Sequence, residues 1–156
     1  MPNCKHFDIC GLEAIDPEGL CILHSKDPQK DKEAFQKELH DRLNEKNYDF
    51  RLFYFPEGTC GFSNRIFEKK ASFLKVNFQG KSYFSRVTFQ DEISFLQATF
   101  QGEANFFKTI FLKEANFVQV AFKEKANFSV TIFQTGCKCI HRCFGKASTG
   151  SDKNCS

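Results

Sequence analysis

The sequence has no tryptophan, one methionine and three tyrosines, yet it contains 21 phenylalanines among 156 residues. It also lacks any apolar run near the roughly 18 residues that a membrane-spanning helix needs, and its first residues lack the basic-then-apolar pattern of a secretory signal. The net charge is only +3, which argues against a long polyanion-binding tail. The length suits one domain with an appendage and excludes most multi-domain enzymes. We therefore expect a soluble, cytoplasmic protein with no membrane span.

Eight cysteines are present in this chain. Thiols in the cytoplasm are kept reduced, so a framework of disulfides is not expected there. Metal binding and inert burial are the two remaining explanations.

Phenylalanine recurs from Phe62 to Phe133 with a strict alternation of five and six residues. The repeating unit is eleven residues long, and seven units fill residues 60–136 without a gap. Two residues before each Phe lies a small or β-branched residue, with Arg65 as the exception. The repeated positions are Phe62, Phe67, Phe73, Phe78, Phe84, Phe89, Phe95, Phe100, Phe106, Phe111, Phe117, Phe122, Phe128 and Phe133.

An eleven-residue period can also arise in a right-handed helical coiled coil. On a helix, however, residues five apart lie about 140° apart, so the two Phe series would occupy different faces. A flat strand fails as well, because a step of five reverses the face each time. The pattern favours a solenoid in which each Phe lies on its own short extended side.

The segments ANFFKTIF, ANFVQVAF and ANFSVTIF resemble the pentapeptide-repeat family, whose consensus is Ala-(Asp/Asn)-(Leu/Phe) followed by two variable residues. The resemblance implies an all-β fold, a right-handed quadrilateral β-helix, with each repeated Phe and the small residue before it pointing inward. The extra residue in every second pentapeptide predicts a bulged corner on two of the four faces. Coils of 22 residues would then give three and a half coils and four stacked columns of Phe rings, which we expect to be structural core.

Before the repeats, Cys4, Cys10, Cys21 and His24 have the spacing C-x5-C-x10-C-x2-H. Three thiolates and one imidazole suit tetrahedral Zn²⁺, and four protein ligands leave no position for water, so such a site would be structural. Similar short Cys/His segments precede some bacterial pentapeptide repeats. His6 could replace one ligand or support the site from behind, and buried reduced cysteines remain the alternative. We expect metal removal to unfold this segment and leave the Phe rod largely intact.

Asp27 and Pro28 have the pattern of an N-cap followed by the first helical residue. A helix reaching to about Glu45 would place Phe35 and Leu39, with Leu43, on one apolar stripe. We expect this helix to cap the N-terminal end of the solenoid, as solenoids require. The aromatic residues that follow should begin the first coil irregularly.

The last twenty residues contain Cys137, Cys139, His141 and Cys143 in a spacing that matches no established metal motif, and Cys155 stands apart from them. We expect a disordered Cys-containing tail, which would leave the upper coil end uncapped and open to end-to-end homodimer formation. The predicted organisation is a Cys/His segment at 1–26, a capping helix at 27–46, the β-helix at 47–136 and the tail at 137–156.

Catalysis requires convergent reactive groups in a cavity, and the repeats contain no histidine, no Gly-rich phosphate loop and no paired inward acids. Mimicry of DNA by an acidic rod is also disfavoured, because residues 60–136 carry ten Lys or Arg and six Asp or Glu. We expect a non-catalytic scaffold for an unidentified protein partner, with nucleic-acid binding by the basic rod as the alternative. Its variable outward residues include Leu74, Lys75, Leu96, Gln97, Phe107, Lys108, Val118 and Gln119.

Overall fold

A computed structural model describes residues 1–138 of the chain. Its helices are α1 (Phe7–Cys10) and α2 (Lys32–Asn44), and among these residues neither helix has the length and apolar character needed to cross a membrane. Every strand is two residues long. The strands are β1 (Tyr54–Phe55), β2 (Ile66–Phe67), β3 (Ala71–Ser72), β4 (Asn77–Phe78), β5 (Ser82–Tyr83), β6 (Thr88–Phe89), β7 (Ile93–Ser94), β8 (Thr99–Phe100), β9 (Ala104–Asn105), β10 (Ile110–Phe111), β11 (Ala115–Asn116), β12 (Ala121–Phe122), β13 (Ala126–Asn127), β14 (Ile132–Phe133) and β15 (Cys137–Lys138).

These strands form four parallel sheets, one on each side of a solenoid of about 4 turns. The sheet orders are β1-β4-β8-β12, β2-β6-β10-β14, β3-β7-β11-β15 and β5-β9-β13. Each strand pairs with the strand one coil away, as Phe67 with Phe89 and Phe89 with Phe111. The predicted four-sided β-solenoid is therefore confirmed.

The first coil departs from the 22-residue period, as the aromatic-rich sequence before the repeats suggested. Phe55 pairs with Phe78, a step of 23, whereas Gly61 pairs with Tyr83 at the usual step of 22. The additional residue therefore lies between Phe55 and Gly61, in the turn that contains Pro56.

Two kinds of corner alternate around each coil. At the five-residue steps the second residue after Phe is left-handed, as in Lys75 (φ 54°) and Lys108 (φ 56°). The six-residue steps instead contain a bend, for example at Gly80, which accommodates the extra residue of every second pentapeptide on two of the four corners. Asparagine before an inward Phe accepts a hydrogen bond at 2.9 Å from the N–H two residues later. These pairs are Asn105 with Phe107, Asn116 with Val118 and Asn127 with Ser129.

The interior is filled by four columns of phenylalanine rings. Rings one coil apart stack with centroid distances between 4.6 and 5.2 Å, and rings of neighbouring columns meet edge to face. Eleven of the fourteen repeated rings are buried, and Phe122, Phe128 and Phe133 in the last coil are half-buried. The small residues two positions earlier point inward beside the rings, whereas Arg65 is exposed.

Helix α2 begins later than the sequence indicated. Asp31 is the N-cap, and its carboxylate accepts hydrogen bonds from the N–H groups of Glu33 and Ala34. Asp27 instead closes a separate turn by accepting from the Gln29 N–H at 2.8 Å, so the prediction of a helix starting at Pro28 is wrong. The helix packs on the first coil as expected, with the Phe35 ring 5.1 Å from that of Phe55.

At the other end the repeat continues past residue 136. Cys137 pairs with Ala115 in β15 and is buried, so it occupies the inward position of a small residue. Cys139, His141, Cys143 and Cys155 lie outside the described residues, and the predictions for the tail and the upper coil end therefore remain predictions.

Truncation of one central ring tests the stacked core. We expect Phe106→Ala to lower the free energy of unfolding by about 3–5 kcal/mol, because Phe106 is buried between the rings of Phe84 and Phe128. The neighbouring Phe107 is half-buried at a corner, so Phe107→Ala should cost much less. Urea denaturation followed by circular dichroism measures both, and equal losses would contradict the assignment of Phe106 to the core.

Backbone strain at the corners gives a second test. Val130 is β-branched, 61% exposed and held at φ 58°, a conformation that Asn adopts far more readily. We expect Val130→Asn to raise the unfolding free energy by about 1 kcal/mol. Val118→Asn, at a position without positive φ, should not stabilise the protein, and thermal unfolding of the two variants distinguishes strain from a general benefit of asparagine.

Candidate metal centre

The four residues singled out by their spacing come together in the structure. Cys4, Cys10, Cys21 and His24 are all buried, and one ligand atom from each lies within 4.8 Å of all the others. They come together because the chain folds back on itself within the first 25 residues.

The first half of the centre is a small reversal of the chain around α1. The Cys4 N–H donates to the Leu12 carbonyl at 3.0 Å, and the Ala14 N–H donates to the Pro2 carbonyl at 2.8 Å. Gly11 ends α1 with a left-handed φ of 67°, a conformation that glycine adopts without a steric penalty. This turn brings Cys10, the last residue of α1, back beside Cys4.

The second half is the turn that contains the Cys-x2-His pair. The N–H groups of His24 and Ser25 donate to the Cys21 carbonyl at 3.1 and 2.8 Å, which folds the His24 side chain towards the Cys21 thiol. The Lys5 N–H donates to the Gly19 carbonyl at 2.8 Å and joins the two halves.

Backbone hydrogen bonds prepare the Cys4 sulfur for a negative charge. The N–H groups of His6 and Cys21 lie 3.4 and 3.3 Å from Cys4 Sγ and donate to it. Such bonds stabilise a thiolate more than a thiol. The arrangement suits a sulfur that binds a cation.

His24 is oriented by the solenoid. Its Nε2 lies 3.2 Å from the Arg51 carbonyl, which can only accept, so Nε2 carries the proton and donates. Its Nδ1 then presents a lone pair 3.2 Å from Cys21 Sγ and 3.6 Å from Cys4 Sγ. This is the tautomer that a metal-binding histidine needs, with the second nitrogen fixed by a carbonyl.

His6 lies beside the centre without joining the four converging atoms. Its ring meets the His24 ring edge to face, with the centroids 4.8 Å apart. The structure therefore places His6 as a neighbour that packs on the His24 ring.

Burial controls the protonation of these groups in the protein alone. It raises the pKa of Cys21 to about 12 and raises that of Cys10, and it lowers the pKa of His24 to about 4. Cys10, Cys21 and His24 are then neutral together, which avoids buried charge. A divalent cation bound here would compensate the negative charge of the thiolates. Three sulfurs with one imidazole nitrogen match the ligands that Zn²⁺ prefers.

Two buried cations beside the centre were missed by the sequence reasoning. Lys30 donates from Nζ to the Ser25 carbonyl at 2.9 Å and to the Tyr54 carbonyl at 2.6 Å, and burial lowers its pKa to about 7. Arg42 on α2 donates to the Ile9 carbonyl at 2.8 Å. The sequence did not indicate that Lys30 or Arg42 would be buried, because both lie in stretches rich in charged residues.

The variable outward residues named from the sequence lie on two different corners of the solenoid. The residues that follow the first Phe of each eleven-residue unit alternate between these corners in successive units. We call the first the Leu/Val corner; it contains half-buried Leu74, Leu96 and Val118. The second contains Ser63, Ser85, Phe107 and Ser129, with the hydroxyls of Ser63 and Ser85 2.9 Å apart.

Several lysines on the solenoid surface are paired with acids one coil away. Examples are Lys70 with Glu92 at 2.7 Å and Lys81 with Glu103 at 3.3 Å. These pairs are exposed and contribute little to stability. They do, however, reduce the positive potential available for a nucleic-acid phosphate backbone.

Comparison with known proteins adds a match to a known repeat for part of the solenoid. Neither the curated proteins nor the solved structures gave a significant match to the chain. Residues 62–110, however, match the family model described as pentapeptide repeats (9 copies). This segment lies wholly within the four-sided solenoid and contains nine of the repeated Phe positions. The solenoid therefore contains a segment of pentapeptide repeats at residues 62–110.

Proposed function

We propose that this protein is a non-catalytic interaction scaffold whose solenoid is held at its N-terminal end by a structural zinc ion. One observation carries the zinc proposal: the ligand atoms of Cys4, Cys10, Cys21 and His24 lie within 4.8 Å of one another in a buried place. Four protein ligands complete a tetrahedral shell and leave no position for a reacting water. The ion would therefore stabilise the fold and take no part in chemistry.

The scaffold proposal follows from where the solenoid keeps its variable side chains. Rings stacked at 4.6 to 5.2 Å occupy the interior of the coils, so the described coils offer no inner cavity of the kind that enzymes use. Partners must then be recognised on the outside. The Leu/Val corner is the strongest candidate, because the equivalent positions of the opposite corner are mostly serine.

Nucleic-acid binding is kept as the alternative because the basic residues exceed the acidic ones by four in residues 60–136. The inter-coil ion pairs and the burial of the aromatic rings argue against it, since single-stranded nucleic acids need exposed rings and a free basic groove.

A cytoplasmic location agrees with the proposed zinc site, because the three cysteine thiols stay reduced there and able to bind zinc.

Zinc binding predicts a defined stoichiometry. The purified protein should contain about one equivalent of zinc, and Cys21→Ser should abolish it, because the serine hydroxyl is a poor ligand for Zn²⁺. Cys60→Ser is the matched control: Cys60 is also buried, but it lies in the solenoid where the next coil carries Ser82 at the same position. Elemental analysis of the three proteins decides the question, and a fully reduced wild-type protein that neither carries nor takes up zinc would contradict the site.

If partners bind at the Leu/Val corner, charged substitutions there should weaken partner binding, whereas the same substitutions on the opposite corner should not. Glutamate at both Leu96 and Val118 should reduce partner capture by at least about tenfold, because a buried charge at an interface is costly. Glutamate at both Ser85 and Ser129, the same positions of the repeat on the opposite corner, should leave capture unchanged. Cross-linking in cells followed by quantitative mass spectrometry compares these variants, with circular dichroism as the test of folding. Equal effects at both corners would refute this surface, and a steep loss of duplex DNA binding with salt would support the alternative.

A further inference from the structure

Every coil of the solenoid needs the preceding coil for part of its backbone hydrogen bonding. In the second coil, the carbonyls of Ser72 and Leu74 accept from the N–H groups of Phe50 and Leu52. In the same coil, the Asn77 N–H donates back to the Phe53 carbonyl. The first coil has no such predecessor, so its corresponding groups must find other partners or lose free energy.

Side chains from the N-terminal segments supply those partners. Four carbonyls of the first coil each accept from a different side chain of residues 24–42. The pairs are Arg42 with Asp49 at 3.3 Å, His24 with Arg51 at 3.2 Å, Lys30 with Tyr54 at 2.6 Å and Gln36 with Thr59 at 2.9 Å.

The backbone of the metal-binding turn completes the replacement. The Tyr54 N–H donates to the Leu23 carbonyl at 2.9 Å, as the Asn77 N–H donates to Phe53 one coil later. Two residues further on, the coil has Pro56, which has no N–H to satisfy. The turn that carries Cys21 and His24 therefore takes the place of the missing preceding coil beside β1.

We propose that the metal-bound segment is the first rung of the solenoid, and that metal binding is coupled to the order of the first coil. This inference rests on the proposed zinc site. His24 performs both tasks, since Nδ1 faces the thiols and Nε2 holds the Arg51 carbonyl. The Leu23 carbonyl accepts the hydrogen bond from the Tyr54 N–H, and Leu23 lies in the sequence between the proposed ligands Cys21 and His24.

The physical reason for the coupling is the small size of the segment. About 26 residues bury too little apolar surface to stay folded without a metal or a partner. Loss of the metal should therefore release Leu23 and His24 from β1 and expose the edge of the first coil. Later coils contact only their own neighbours and should stay folded. The prediction that metal removal leaves the Phe rod largely intact is thereby restricted to the coils after the first.

Residue-resolved hydrogen exchange of the full-length protein tests this coupling. After zinc is removed by a chelator, the Tyr54 amide should exchange at least about tenfold faster, because the Leu23 carbonyl that accepts from it belongs to the turn with Cys21 and His24. Asn77 and Thr99 occupy the same register position in the next two coils, and their amides should keep their exchange rates. Zinc content is measured on the same samples.

Two variants separate the metal from its attachment. His24→Cys keeps a zinc ligand but removes the donor to Arg51, so zinc should be retained while Tyr54 exchanges faster than in the wild type. Gln36→Ala removes a cap contact that does not involve the metal-binding turn, and the response of Tyr54 to the chelator should persist.

The outcomes distinguish this inference from the site on which it rests. Removal of zinc without faster exchange at Tyr54, or with equally faster exchange at Asn77 and Thr99, would overturn the coupling and leave the zinc site standing. A protein that never binds zinc would instead overturn the site itself.

Discussion

The whole structure depends on one spacing, the distance between neighbouring coils. Parallel strands in adjacent coils stand about 4.8 Å apart because their backbones are hydrogen-bonded. Phenylalanine rings that project inward from equivalent positions are thereby brought to centroid distances of 4.6 to 5.2 Å, where their faces are in contact. Two-residue strands would be unstable alone. They persist here because backbone pairing and ring stacking repeat with the same period.

This mutual dependence creates a problem at the end of the solenoid. In later coils the equivalent carbonyls face the preceding coil. In the first coil the carbonyls of Asp49, Arg51, Tyr54 and Thr59 have no preceding coil to pair with. Long polar side chains, among them buried Lys30 and Arg42, donate hydrogen bonds to these carbonyls, and the Leu23 carbonyl accepts from the Tyr54 N–H. The N-terminal segments thus provide hydrogen-bond partners as well as apolar cover, which a helix with an apolar stripe could not do by itself.

A filled interior also decides where function can be located. Rings in contact along the axis leave the described coils without an internal site, and the outward positions are free to vary because they do not affect the stacking. Alternation of corners then matters more than proximity in sequence. Leu96 and Phe107 are eleven residues apart and occupy opposite corners, whereas Leu74 and Leu96 are twenty-two apart and lie on the same one.

The sequence by itself determined the repeat, the inward Phe positions and the four candidate ligands, since each depends on local spacing that the chain cannot alter. It misplaced the start of α2, because Asp27 followed by Pro28 has the pattern of an N-cap, whereas in the folded chain the Asp31 carboxylate accepts from the first N–H groups of the helix. Tertiary structure alone decided the tautomer of His24 and the burial of Lys30. Both depend on carbonyls of a coil distant in sequence, Arg51 and Tyr54, that are open only because the solenoid begins there.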